Sequence, residues 1–375
     1  MSSSDSSVVI LGDVFADLFC FLEGGLPNKV GGDSRLAKPI TTVAGGSGLN
    51  TATHLMGIMS TSEKTYCNVR VYSAFNPNDE YGKLVCQHAT EHNFSLINTC
   101  DDNDASTGHC AVIVASDERT FMTHLGAMEK FKATDIDIES VLQVQPTPSG
   151  CLHIHVAGYF NIPGFWKGQI KHLLRTFAER QHQQNPQSPL IVSLVTQYDA
   201  TEEWDGQLLD LLPSIDYLIL NEIEAKNIIQ AAHRRMNRRD DIVETLDNEE
   251  DVLLAIAAFF ASQSSQTCIV LTLGPKGACV LFGGKVIVRQ SPPVFVEHPL
   301  DPTGAGDSFI AGFLHGLYSN SSSTPISKSN TSDPTILKRG LQYGCILGTS
   351  CVMRSGASVP ACQEEIEDLQ QRISK

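Results

Sequence analysis

Short, nearly unbroken apolar runs recur along the chain, separated by stretches in which apolar residues return every three or four positions. The first run, SVVILG, stops at Gly12-Asp13 and reads as a buried strand whose C-terminal end faces a ligand. Val69 to Phe75, His109 to Ser116 and Arg119 to Ala127 read as further strands, the last two joined through Ser116-Asp117-Glu118 as a hairpin. From Cys151 onward the pattern alternates. CLHIHVAGY is a strand, Pro163 to Gln181 a helix, LIVSLV a strand, DGQLLDLLPS a short helix, and YLILNEIEAKNIIQAA a strand that turns into a helix. Asp251 to Gln263 is a helix, TCIVLTLG a strand, GACVLFGG and KVIVRQ a strand pair, and Asp307 to Tyr318 a helix. Strands alternating with helices predict a doubly wound α/β domain with a mainly parallel sheet, ligands gathering at the C-terminal strand ends. Ser319 to Pro334, rich in Ser, Thr, Asn and Pro, reads as an insertion loop, and Arg234 to Glu250 as a second insertion.

Composition narrows the class. The chain has 375 residues, 42% of them apolar, enough for one large domain over residues 1–375. A formal charge of −15 disfavours nucleic acid or an anionic membrane as partner. The basic run His233 to Asp241 is followed at once by ETLDNEED and reads as solvated surface. No apolar stretch approaches the roughly 18 residues of a membrane span. The first residues lack the basic and apolar regions of a signal peptide, so a cytoplasmic location is expected. The eleven cysteines form no CxxC pair and are expected to be reduced.

The segment DPTGAGDSFIAGF, Asp301 to Phe313, carries the chemistry. Gly304, Ala305 and Gly306 open a helix, and small residues there let a phosphate approach the unpaired N–H groups of the first turn. A carboxylate beside that seat, Asp307, is repelled by phosphate, so its use is to take a proton from the group attacking it. An ordinary first-turn acid is the alternative. Ala44 to Met59, AGGSGLNTATHLMGIM, repeats the design of small residues before a helix.

Together these two segments resemble the C-terminal and N-terminal signatures of the PfkB carbohydrate kinases, or ribokinase family. Between and after them, Asn221-Glu222-Ile223-Glu224 resembles the family's N-x-x-E motif, Leu273 to Gly277 its L-G-x-x-G turn, and Arg354-Ser355-Gly356-Ala357 its late R-x-G-A element. The resemblance implies a ribokinase-like doubly wound fold with a small β lid, formed by about residues 18–44 and 105–128. It implies ATP-dependent transfer of the γ-phosphate to a hydroxymethyl group of a small sugar, with a nucleoside kinase or a non-catalytic sensor as alternatives. Asp307 would be the base, with Gly304, Ala305 and Gly306 as the anion hole. Asp17 rather than Asp13 would bind the acceptor, together with Gly45, Gly46 and Asn50. Asn221 and Glu224 would act through Mg²⁺ and its waters, although the same pair also reads as a helix cap. ATP would lie near Thr272, Gly274 and Gly277. A K⁺ site would use Asp301, Thr303, Arg354, Gly356 and Ser358, where the GASVP loop is about two residues shorter than in ribokinases. Homodimerisation through the lid is a further expectation.

Two departures bear on the acceptor. GGSGLN lacks the lysine of GGKGAN, and the strand end after Gly158 carries Tyr159-Phe160 where ribokinases have a glutamate, a pair that suits a stacked base or simple core packing. No G-x-x-x-x-G-K-[ST] occurs, which excludes a P-loop. His88-Ala89-Thr90-Glu91-His92 matches the H-x-x-E-H zinc pattern but also reads as part of a surface helix, and His153 and His155 share one strand face.

Overall fold

The computed structural model describes residues 7–373 except 27–31, 61–67, 102–104, 116–117, 144–150, 187, 189, 237–245, 247 and 320–325. The hairpin turn at 116–117, most of the insertion after Arg234 and residues 320–325 of the Ser-rich segment thus lie outside the described residues.

A nine-stranded sheet forms the centre. Its strands are β1 (Ser7–Gly12), β4 (Asn68–Ser73), β5 (Ser95–Asn98), β8 (Leu152–Ala157), β9 (Leu190–Val195), β10 (Tyr217–Asn221), β11 (Cys268–Thr272), β12 (Ala278–Phe282) and β13 (Lys285–Gln290). They run in the order β13-β12-β11-β10-β9-β8-β1-β4-β5, parallel from β5 to β11 and antiparallel only at β12 and β13. The unbroken apolar runs follow from burial on both faces. In β1, Val9 and Leu11 join the core under α4 (Gln169–Gln184), α5 (Glu222–Arg235) and α6 (Glu249–Gln263). Val8 and Ile10 join the opposite core under α1 (Ser47–Ser60), α2 (Glu80–Glu91), α7 (Ala305–Tyr318), α8 (Pro334–Val352) and α9 (Gln363–Ile373). A short α3 (Ile138–Leu142) packs on the first face. The segment DGQLLDLLPS forms a 3₁₀ helix over Leu208–Ser214, with Pro213 inside it.

A second sheet has the order β3-β2-β6-β7, from β2 (Phe15–Phe21), β3 (Thr41–Gly45), β6 (His109–Ala115) and β7 (Glu118–His124). The opening apolar run is therefore two strands in two sheets, separated at Asp13-Val14. Registers Asp17↔Val43, Asp17↔Cys110, Phe19↔Val112 and Val114↔Arg119 place Asp17, Phe19, Cys110, Val112 and Arg119 on one face of this sheet. Phe19, Cys110 and Val112 pack together as a buried apolar cluster, joined by Phe21 and Val114.

Candidate functional site

Strand ends β1, β8, β9, β10 and β11 deliver Asp13, Asn161, Gln197, Asn221 and Thr272 to one edge of the sheet, where the first turns of α1 and α7 meet. Gly304 precedes α7 with φ +79°, a left-handed conformation in which a Cβ would also lie 2.6 Å from the Ala357 carbonyl oxygen. Beyond Gly306, by contrast, a Cβ would meet nothing within 4 Å. The helix entrance is thus open to a ligand on that side.

Asp307, in the first turn of α7, is buried at 6% exposure. Its Oδ1 accepts from Ser47 Oγ at 2.8 Å and Gln197 Nε2 at 3.0 Å, and its Oδ2 from Asn50 Nδ2 at 2.9 Å. Burial raises its pKa to about 7, with nearby Asp13 adding repulsion and the Asn50, Ser47 and Gln197 hydrogen bonds opposing. A carboxyl that titrates at neutrality can accept and return a proton there. Asp17 is also raised to about 7, first by burial and then by Asp13 and Asp307. Gly45 makes room for it, since a Cβ there would sit 2.1 Å from Asp17 Oδ2. Asp13 is more buried than Asp17, and it accepts from Asn161 Nδ2 (2.7 Å) and the Gly48 N–H (3.2 Å), so it braces the β1 end against α1. The expected acceptor residues Asp17, Gly45, Gly46 and Asn50 therefore gather around Asp307. Ser358 adds to them, donating to Asn50 Oδ1 at 2.5 Å and to Ala44 O at 3.0 Å.

Asn221 and Glu224 form a reciprocal capping box: Asn221 Oδ1 accepts from the Glu224 N–H (2.8 Å), and Glu224 Oε2 from the Asn221 N–H (3.1 Å). The cap reading of this pair is realised, and Glu224 also accepts from Thr196 Oγ1 at 2.9 Å while burial raises its pKa. Among the described residues no three His, Cys, Asp or Glu side chains cluster as a metal site. An ion that keeps its waters, as Mg²⁺ does, fits one buried carboxylate of this kind.

Beside Gly306 opens an apolar cavity of about 450 Å³. Thr272, Gly274 and Gly277 line it, opposite Ala305, Phe309, Gly348 and Thr349, with Phe295 at its rim. Its volume lies within the range of small-molecule pockets.

Other expectations come apart. Tyr159 and Phe160 are buried at 1% and 4%, Tyr159 donating to the Gly206 carbonyl and Phe160 packing edge-on to Trp204. Core packing holds this pair, and Tyr159 presents no face for a base. His88 Nε2 is bonded to Thr53 Oγ1 at 2.9 Å and, held mainly by burial, has its pKa lowered to about 4, so this histidine serves α1–α2 packing. His153 and His155 both bond Ser193 Oγ at 2.7 Å inside the sheet, a buried core pair in which His153 also bonds the Tyr318 hydroxyl while His155 Nε2 has no hydrogen-bond partner among the described residues. Ser47 and Gln197 were not marked by any sequence motif, and Asp13, set aside in favour of Asp17, braces the site from the β1 end. Ser47 stands where the lysine of GGKGAN is missing, and Gln197 follows a strand that ends at the ligand-bearing edge.

Fold, anion-open helix entrance, neutral-range carboxyl and apolar cavity together define a small-molecule phosphotransferase. The family model described as pfkB family carbohydrate kinase matches residues 5–349. The chain belongs to this family and is a sugar or nucleoside kinase. Among curated relatives, the adenosine kinase of Dictyostelium discoideum is 26% identical over 327 residues, covering 87% of this chain and 83% of the relative. Among solved structures, a ribokinase from Giardia lamblia superposes with a TM-score of 0.73 at 17% identity, over 99% of both chains. A fructokinase double mutant from Vibrio cholerae O395, in a form with fructose, ADP and potassium ion bound, has a TM-score of 0.63 at 19% identity, over 99% of this chain and 100% of that one.

Proposed function

We propose that this kinase transfers the γ-phosphate of ATP to the hydroxymethyl group of a nucleoside. The observation that carries the choice is the face of the small sheet bearing Asp17. Next to that one carboxyl Phe19, Cys110 and Val112 are buried, and the partly buried Phe21 and Val114 carry this apolar layer to its margin, where a base would lie, with Arg119 beyond on the same face. A ribose can spend its vicinal hydroxyls on Asp17 and Asn50, while an aromatic base gains from the apolar layer beside them. A free sugar, hydroxylated all round, would leave polar groups unpaired against that layer. The adenosine kinase named among the relatives supports the same reading.

In the proposed reaction Asp307 takes the proton of the attacking hydroxymethyl, and the N–H groups of Gly304, Ala305 and Gly306 hold the transferring phosphoryl. Positioning and fixed donors are most of what phosphoryl transfer needs. Asn221 and Glu224 would hold Mg²⁺ through its waters, and the ion would neutralise phosphate charge. The small sheet acts as the lid, excluding water that would otherwise take the phosphoryl. Its edge strand β7 exposes Phe121 on the Asp17 face and Met122 on the other, and dimerisation is proposed through this edge.

The test is ADP release from Mg·ATP with adenosine, inosine, ribose, fructose or 2-keto-3-deoxygluconate as acceptor. Stimulation by a nucleoside at lower concentration than by any sugar is expected. A sugar that saturates the enzyme while both nucleosides remain inert would overturn the reading.

A further inference from the structure

The resemblance implies a monovalent cation beside the anion hole, and the fructokinase neighbour is in a potassium-bound form. Of the oxygens that would receive such an ion, the Asp301 carboxylate, the Ala357 carbonyl and Ser358 Oγ are already engaged here, while the buried Thr303 Oγ1 has no hydrogen-bond partner among the described residues. Asp301, buried at 6%, has Oδ1 on Arg119 Nη2 at 2.9 Å and on the Thr303 N–H at 3.0 Å, and Oδ2 on the Gly356 N–H at 3.1 Å. The Ala357 carbonyl accepts from His54 Nε2 at 2.7 Å, and burial lowers that imidazole's pKa to about 4, keeping it a neutral N–H donor. Arg354 donates to Val359 O at 3.2 Å and also to Pro360 O, and Ser358 is turned to Asn50. A potassium ion needs several oxygens that point inward together. This loop points N–H groups and a guanidinium at its one carboxylate instead.

We propose that Arg119 stands in for the monovalent cation, so that the enzyme carries this positive charge itself and needs no K⁺. Asp301 lies three residues before Gly304, and left unneutralised it would repel the phosphate that the Gly304–Gly306 turn receives. A guanidinium cancels that charge with directed donors, and unlike a dissolved ion it cannot exchange with solvent. The pair is secluded, with side chains 16% and 8% exposed, and Arg119 meets Asp301 through Nη2 while its buried Nε has no hydrogen-bond partner among the described residues. Because Arg119 belongs to β7, on the same sheet face as Asp17, its charge reaches the loop only while the small sheet is docked. Arg119 is thus a positioning residue that ties the docking of the sheet over the acceptor to a correctly charged anion hole. The inference rests on the phosphotransferase class and not on the choice of acceptor.

The test compares the full chain in equal concentrations of KCl and choline chloride, by turnover and by thermal melting, the second needing no acceptor. Wild-type protein should give the same turnover and the same midpoint in both salts. Arg119→Ala should melt cooperatively yet lose turnover by about tenfold or more. Methylguanidinium should restore part of that loss, and Arg119→Lys should retain most of the wild-type rate. In Arg119→Ala/Asp301→Asn, methylguanidinium should restore nothing. A potassium-specific rise in wild-type rate or melting midpoint overturns the proposal. So does a folded Arg119→Ala that is unimpaired, or one that is impaired and unmoved by methylguanidinium.

Discussion

Replacing Asp307 by Asn separates what this carboxyl does for turnover from what it costs the fold. Burial lifts its pKa from 3.8 to about 7, a difference of roughly 3 units. At 1.36 kcal/mol per unit, the ionised group opposes folding by about 4 kcal/mol once the pH exceeds 7. The sign follows from linkage: a carboxyl whose folded pKa is raised costs nothing below its unfolded pKa, progressively more between about 4 and 7, and a constant amount above. Asn removes the titration but turns an N–H₂ toward Asn50 Nδ2, which now donates to Asp307 Oδ2 at 2.9 Å, and that mismatch costs about 1–3 kcal/mol at every pH. The mismatch cancels in a comparison between two pH values. From pH 5 to pH 8 the variant should therefore gain about 2–3 kcal/mol on wild type, or about 3 °C in melting midpoint for a chain of this size. Over the same range its turnover should stay about 10² to 10⁴ below wild type. Paired melts at the two pH values, with steady-state ADP release, provide the measurements. A stability difference that does not change with pH, or a variant with wild-type kcat, would refute the reasoning.

Wild-type kcat/KM should rise with pH through about 7 and level off above it, because both Asp307 and Asp17 must be ionised and both titrate there; a rate flat from pH 5 to 8 would contradict the raised values. Gly45→Ala places a Cβ against Asp17 Oδ2, so the acceptor KM should rise by about tenfold or more while the KM for ATP holds, read from initial rates with each substrate varied in turn. Gly306→Ala meets open space, so melting should stay level or rise with about 0.5–1 kcal/mol of helix propensity, while ATP turnover falls as the methyl takes up phosphate room. Tyr159→Phe loses its hydrogen bond to Gly206 and should cost about 1–3 kcal/mol in denaturant melts, leaving the acceptor KM unchanged.

Local pattern made the scaffold legible. Apolar runs such as Val8 to Leu11 are buried on both faces of a parallel sheet, and GAGD before an apolar helical pattern marked both the α7 entrance and Asp307. What escaped was long-range convergence. Ser47 reaches Asp307 across 260 positions, Gln197 reaches Ser47 across 150, and Arg119 reaches Asp301 across 182, and no spacing rule spans such separations. The break between β1 and β2 was hidden because Asp13-Val14 changes sheets without Pro or a glycine pair at the bend. Tyr159 and Phe160 were ambiguous for another reason: an aromatic at a strand end has the same sequence signature whether it lines a cleft or, as here, fills the core under Trp204.

The electrostatics of the site also answer why an anion-binding helix entrance should carry an acid at all. Two helix N-termini, those of α1 and α7, favour negative charge where they meet, yet Asp13, Asp17 and Asp307 all have raised pKa values there. Desolvation therefore outweighs the helix ends and the hydrogen bonds. A carboxyl left at its ordinary value would be ionised at neutral pH, repelling phosphate while remaining a weak base toward an alcohol. One raised far above 7 would stay protonated and accept nothing. Asp307 at about 7 lies between these failures, and the three donors on its oxygens, Ser47, Asn50 and Gln197, oppose the burial that would carry it higher. Loss of the Asn50 donor should accordingly move the acid limb of the pH–rate profile upward, the reverse of what loss of a purely steric contact would do.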